Sequence, residues 1–465
     1  MALRRYPLSI WVRFLVLSLS LCETKVVYAQ FQNGGLENDT TKDGASYSVL
    51  AEEDIVFGDE FDFVGDESEE ISSGESKRKT FIGGSRKFIY QHDYAYIFTD
   101  PKEVGSNRSS LRFQWNRVAF NRLYLNVDIK PIIYFSGDDA LEDGNNIDTT
   151  IKTKELYATL NVGDTTFTIG DKIVVWGEAE STAVTDIISP QNITDMVFTS
   201  LDESRISQSM LLVEHYANTH QLSLIVNPNI KFDEQPGIAI QNGLPREVDD
   251  KSFELGLRWK APIGLGDFSL MIADVIDNSS IERYSNDINL GTVSISNYYK
   301  NYQMLGAAAS LNLGNMALQI ESAFNKNRAQ ELVLRNFDRN RFPDGYGVSD
   351  EILLAVNVNY QENGLRDWSA GILHTQYLDY SDRFLLGEES LNEIYFGVSN
   401  KFYHELVTID VEYQYQIELE ASIAYLSTSY SASDNFTLSI DVFSLDNIEG
   451  GFDQDSVTTR IIYNF

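Results

Sequence analysis

The stretch Arg108-Ser-Ser-Leu-Arg-Phe-Gln-Trp-Asn-Arg-Val-Ala-Phe-Asn-Arg-Leu-Tyr-Leu-Asn-Val-Asp-Ile-Lys-Pro-Ile-Ile-Tyr-Phe135 contains two extended segments joined by the link Phe120-Asn121. In the second segment Leu123, Leu125, Val127, Ile129, Pro131 and Ile133 alternate with Tyr124, Asn126, Asp128 and Lys130. A period of two is that of a β-strand whose faces meet different surroundings. The same alternation runs through Phe88 to Phe98, through Phe253, Leu255, Leu257 and Trp259, and through Ile409, Val411, Tyr413 and Tyr415. A soluble antiparallel sandwich would also alternate. Two features separate the cases. These strands run to about 10–16 residues where soluble ones average about 5–6, and their polar faces carry charges at mid-strand, which suits a water-filled lumen.

The connections extend this reading outward. Strands are expected near 83–98, 108–119, 122–135, 151–162, 164–176, 205–216, 219–228, 251–261, 265–277, 301–313, 315–325, 351–361, 364–378, 390–402, 405–416, 420–431, 434–446 and 454–465. Links after even strands are tight (Gly163, Ala217-Asn218, Gly314, Glu362-Asn363), whereas most links after odd strands are long (177–204, 229–250, 278–300, 326–350). Short periplasmic turns alternating with long external loops imply a transmembrane antiparallel β-barrel of about 18 strands. The short link 417–419 leaves the count between 16 and 18. Closure removes the exposed edges that such long strands would otherwise present.

The ends of the chain differ from its middle. Residues 1–29 have a basic start at Arg4 and Arg5, an apolar run from Ile10 to Leu21, and Val27-Tyr28-Ala29 before Gln30. That run is too short to cross a core of ~30 Å as a helix, so it reads as a removable secretory signal. It holds the one cysteine of the chain, Cys22, which excludes a disulfide framework and thiolate-held clusters from the remainder. Residues 30–79 follow as an acidic segment, with 14 acids against the single base Lys42 up to Glu75; it reads as a flexible tail or as a plug entering the pore. The barrel is expected over 80–465. At its end Val457-Thr-Thr-Arg-Ile-Ile-Tyr-Asn-Phe465 alternates and finishes on an aromatic residue. It resembles the last strand of outer-membrane barrels, and the resemblance implies that Tyr463 and Phe465 form the signal read by the barrel assembly machinery.

With 69 acidic and 36 basic residues the chain carries a formal charge of −33 over 465 residues, which disfavours nucleic acid as a partner. A hydrophobic content of 43% argues against wholesale disorder. His92, His215, His220, His374 and His404 form no metal-binding or catalytic pattern, and His92 and Asp93 point to opposite faces, so neither an enzyme nor a cofactor is expected. Acidic, glycine-containing loops such as Gly137-Asp138-Asp139 offer at most weak Ca²⁺ coordination.

One segment is not generic. Thr168-Ile-Gly-Asp-Lys-Ile-Val-Val-Trp-Gly-Glu-Ala-Glu-Ser181 leads to Thr185-Asp-Ile-Ile-Ser-Pro-Gln-Asn-Ile-Thr-Asp195 and to Glu203-Ser-Arg205. Gly170, Trp176, Gly177, Glu178, Asp186, Pro190, Asp195 and Arg205 resemble the mid-chain signature of a family of uncharacterised proteobacterial outer-membrane porin-like barrels, distantly similar to alginate-export porins. Asp171-Lys172 and Ser189 depart from that pattern. The link 177–204 is long, and Ile187, Ile188, Ile193 and Met196-Val197-Phe198 make it able to pack, either as a constriction loop inside the lumen or as a cover over the outer mouth with Trp176 in an interfacial girdle.

These readings imply a porin-like channel for small polar or charged solutes in a bacterial outer membrane, contacting lipid and lipopolysaccharide. The lumen is expected to be lined by Asp93, Arg112, Asp128, Lys130, Glu155, Glu254, Arg258, Lys260, Glu321, Glu393, Asp410, Glu412, Asp441 and Arg460, and the acidic excess at the mouths favours cations. A barrel dedicated to a polysaccharide or hydrophobic cargo, and a non-conducting structural or adhesive barrel, are the alternatives. Oligomeric state is not legible.

Overall fold

Leu, Ile and Phe at alternate positions leave each strand one apolar face, and a closed sheet is the arrangement that pairs every backbone group while turning all those faces outward. A computed structural model describes residues 84–465, apart from 100–101, 121, 142–144, 180–182, 195–200, 235–243, 288–291, 334–339, 386 and 448–451. The signal segment and the acidic segment up to residue 79 lie outside the described residues.

The strands are β1 (Ser85–Ile97), β2 (Glu103–Ala119), β3 (Leu123–Phe135), β4 (Ile147–Val162), β5 (Thr165–Lys172), β6 (Gln208–Ala217), β7 (His220–Asn229), β8 (Arg246–Val248), β9 (Glu254–Ile263), β10 (Gly266–Ile276), β11 (Ile281–Asp287), β12 (Thr292–Tyr299), β13 (Asn301–Leu313), β14 (Met316–Gln330), β15 (Gly347–Glu362), β16 (Arg366–Tyr377), β17 (Ser390–Phe402), β18 (Val407–Gln416), β19 (Ala421–Ser433), β20 (Phe436–Asn447) and β21 (Phe452–Asn464). A single helical turn, α1 (Leu201–Ser204), precedes β6. All but β8, β11 and β12 form one 18-stranded antiparallel sheet, and β21 pairs with β1 to close it. After β18, Gln416 pairs with Ala421 across a tight turn, so the count is 18.

The outer wall is apolar. Leu255 and Leu257 on β9, Leu270 and Ile272 on β10, Leu305 on β13 and Ile372 on β16 are all exposed there, while their strand neighbours turn inward. This outer face is what a bilayer core requires of a barrel. Ile272→Arg, near the middle of β10, is expected to cost roughly 2–4 kcal/mol of folding free energy in phospholipid vesicles, read by equilibrium urea titration. An unchanged stability would place β10 off the lipid wall.

Three departures from plain alternation matter for the lumen. First, the β3–β4 register slips at Asp128 and Ile129, which pair with Glu155 and Thr153. Lys154 is therefore an extra residue, and the bulge turns both Lys154 and Glu155 away from lipid, as bulges commonly re-aim side chains. Second, β5 stops at Lys172 rather than at Trp176. Third, inward residues on β10 and β13 are apolar or small (Met271, Ala273, Val275, Met304, Gly306, Ala308), where polar residues would suit a wet wall. Outside the barrel, β8, β11 and β12 form a separate three-stranded sheet contributed by two of the long links, an element that their sequences do not announce.

Candidate functional site

Beyond Lys172 the chain peels off the wall and turns into the lumen. The amide of Ile173 donates to Glu155 Oε1 at 3.0 Å, and that of Val174 to Ser189 Oγ at 2.8 Å. The segment then braces itself. Trp176 N donates to Asp186 at 3.3 Å, Arg205 pairs with Asp186, and Ile206 N donates to the carbonyl of Pro190 at 2.8 Å. Asp186, Pro190 and Arg205 thus hold the two ends of the link together, and Gly177 sits where a Cβ would strike Ala183.

Its far attachment is Glu321, a fully buried carboxylate on the inner face of β14. Glu321 accepts the amides of Glu178 (2.5 Å), Ala179 (2.6 Å), Val184 (2.9 Å) and Thr185 (3.1 Å), and the Thr185 hydroxyl (2.9 Å). Five donors around one carboxylate satisfy backbone groups that have no strand partner. Around this point Trp176, Val184 and Ile188 pack against Met210, Leu212, Ile225, Met271, Val275 and Met304 of the wall. Trp176 is 1% exposed, so it is a packed residue of the inward segment and not part of an interfacial girdle. Its ring lies against Gly256 of β9, where an added Cβ would stand 2.6 Å away.

The opposite side of the lumen stays polar. A cavity of ≈ 250 Å³ is bounded there by Arg108, Arg112, Lys130, Lys152, Lys154 and Arg460, with Asp93 and Glu203 as its carboxylates. Arg460 pairs with Asp93 at 2.7 Å, Arg112 with Asp128 at 2.6 Å, and Arg108 with Asp138 and Asp139, both at 2.9 Å. The carboxylates of that acidic external loop are thus engaged by an arginine. Glu203, in α1, reaches Lys130 at 2.9 Å and Arg112 at 3.0 Å, with Lys154 at 3.9 Å. Burial alone would raise the Glu203 carboxyl, but Lys130, Lys154 and Arg112 together hold it below its ordinary value, so it is charged at neutral pH.

The remaining expected residues divide between the two sides. Glu254 lies buried in the wall, accepting Asn227 Nδ2 at 2.7 Å and the amide of Ile276 at 2.9 Å. Lys260 meets Glu178 at 3.2 Å, and Arg258 Nη1 reaches the carbonyl of Val175 at 3.5 Å, so both serve the inward segment. Asp410 and Glu412 occupy the face of β18 opposite the exposed Tyr413, apart from the cavity lining. Asp195 and Met196-Val197-Phe198 lie outside the described residues. Tyr463 and Phe465 stack edge-on at 4.7 Å on the outer side of the closing strand, and the Phe465 amide donates to the carbonyl of Phe88. On the outer wall His92 Nδ1 is 2.9 Å from Ser109 Oγ, and at the sheet's turn end His215 is 2.9 Å from Thr165 Oγ1.

Period two counted from Arg112 places Arg108 on the same inward face, although the expected lining leaves it out, whereas alternation counted from Glu155 passes over Lys152 and Lys154. Two signals were present in the sequence: a Lys-Thr-Lys-Glu run that no single face accommodates, and the uninterrupted apolar stretches Met210-Leu-Leu-Val213 and Leu270-Met-Ile-Ala273. A strand apolar on both faces inside a barrel has something packed against its inner side.

No family model and no curated protein matches the sequence. Solved structures do match the barrel. OccK8 (OprE) of Pseudomonas aeruginosa aligns with a TM-score of 0.52 at 10% identity, over 82% of this chain and 97% of that one. The fold is that of an outer-membrane porin. OccK9 (OpdG) of the same organism gives 0.51 at 10% identity, and a BenF-like porin from Pseudomonas fluorescens Pf-5 gives 0.51 at 9%, each over 82% of this chain and 98% of the other. At such identities the likeness is one of architecture.

Proposed function

We propose that this chain is an outer-membrane channel admitting small polar solutes, with preference for those that carry an anionic group. The observation that carries the reading is the inward course of residues 173–179 and 183–188, clamped to β14 by Glu321, which packs against the apolar side of the lumen and leaves the charged side to solute. Six cationic side chains line that side against two carboxylates. Charged groups facing solute at close quarters weigh more on ion choice than distant ones, so this lining is expected to outweigh the cation preference of the acidic mouths. Mixed charge across a confined, low-dielectric space also orients dipolar solutes. A cavity of ≈ 250 Å³ suits small molecules better than a polysaccharide chain. Lipid and lipopolysaccharide contact the outer wall in this reading, Tyr463 and Phe465 serve as the assembly signal, and the motif around Trp176 and Asp186 supports kinship with the porin-like family that it resembles.

Reconstitution in planar bilayers tests this. Stepwise conductance of low amplitude is expected, with a reversal potential in a potassium acetate gradient that shows the anion to be the more permeant ion. Absence of steps would overturn the channel reading, and entry of large polyethylene glycols into the lumen, read as a fall in step amplitude, would overturn the constriction.

A further inference from the structure

Among the carboxylates paired with the basic wall, Glu203 is set apart by meeting three of its cations, Arg112, Lys130 and Lys154. Asp128 and Asp93 belong to barrel strands next to their partners, and their side chains are nearly covered. Glu203 comes instead from the inward segment and approaches the wall from the cavity side. Its side chain is 25% exposed, whereas those of Arg112, Lys130 and Lys154 are 11%, 11% and 7% exposed. One carboxylate oxygen faces Arg112 and the other faces Lys130 and Lys154. The bulge in β4 is what brings Lys154 to this place, and its ammonium also donates toward the carbonyls of Glu203 (3.2 Å) and Arg205 (3.4 Å).

We propose that Glu203 is a tethered counter-anion occupying a carboxylate-binding position on the lumen wall, and that a solute carboxylate passes by taking its place. This rests on the channel reading above and names the residue that sets its anion selectivity. The exchange is chemically even. A solute carboxylate presents the same two oxygens to the same three cations, and Glu203 turns into the water of the cavity as it leaves. No wall pair is broken, because Arg112 keeps Asp128 throughout. A tethered competitor acts at an effective concentration in the millimolar range or above, so it weakens solute binding without abolishing it. A transport site must bind well enough to admit solute and weakly enough to release it. Glu203 supplies the second half of that condition.

The test uses the full chain in planar bilayers with sodium acetate as probe. Glu203→Gln is expected to shift the reversal potential toward the anion and to lower the acetate concentration that half-saturates conductance by about tenfold, the order of effect expected on removing a tethered competitor. Glu234→Gln is the control: Glu234 pairs with Lys152 on the same wall at 2.7 Å but is 43% exposed and touches none of the three cations around Glu203. Equal shifts in both variants would reduce the effect to general charge removal and overturn the proposal. Glu203→Asp keeps the charge but is one methylene short of bridging Arg112 and Lys130, and is expected to tighten acetate by a smaller factor. Should the Gln variant fail to assemble, wild-type half-saturation in the Asp variant overturns the idea. A wild-type chain that conducts nothing would overturn the channel itself, whereas a conducting Glu203→Gln channel with unchanged selectivity overturns only the role of Glu203.

Discussion

Glu321→Ala is expected to release the 177–204 segment from the far wall and to raise single-channel conductance, with larger polyethylene glycols gaining entry to the lumen. The alanine leaves four backbone amides and a hydroxyl without an acceptor in a buried setting. Each unsatisfied buried donor costs about 1–3 kcal/mol, so the docked state loses several kcal/mol and ceases to be the dominant one. Glu321→Gln should behave more like the alanine than like the native residue, because its amide nitrogen would confront donors. The barrel itself should survive, since the β13–β14 and β14–β15 ladders are backbone pairings that the side chain does not make. Conductance and polymer exclusion identical to the native channel would show that the segment does not set the width of the passage.

Trp176→Ala is expected to undo the same docking from its apolar side. Removing a fully buried indole typically costs about 3–5 kcal/mol through lost transfer energy and the cavity left behind. The loss falls on the inward segment rather than on the wall, so limited proteolysis within 177–204 should accelerate while circular dichroism of the barrel persists. Gly256→Val should reproduce the effect from the other partner, because a side chain at that position invades the space of the Trp176 ring. Protection against protease in both variants would show that the indole does not anchor the segment on β9.

How far these features could be read in advance depends on the range of the interactions behind them. Strand number and the alternation of short with long links are local properties, carried by turns such as Gly163-Asp164 and by runs such as Leu123 to Ile133. They translate directly into an 18-stranded barrel. The course of the 177–204 link was open, because an apolar Ile187-Ile188 fits a lumenal loop and an outer cover alike. Glu321 stood among many inward carboxylates, and no local pattern distinguishes it: its donors lie more than 130 residues earlier in the chain. Lys154 was hidden because alternation counted back from Glu155 assigns it to lipid, and a bulge is a property of two paired strands.

The sequence by itself therefore determined the wall: period two with charges on one face, tight turns at every second link, and closure as the only way to pair every strand edge. The tertiary structure decided what the wall encloses. Which inward residues become a packed core around Trp176, and which remain a charged passage beside Glu203, depends on where one long link comes to rest. That position is set by backbone amides meeting Glu321 and by an indole meeting a glycine across the lumen, contacts between distant segments that leave no periodic trace in either.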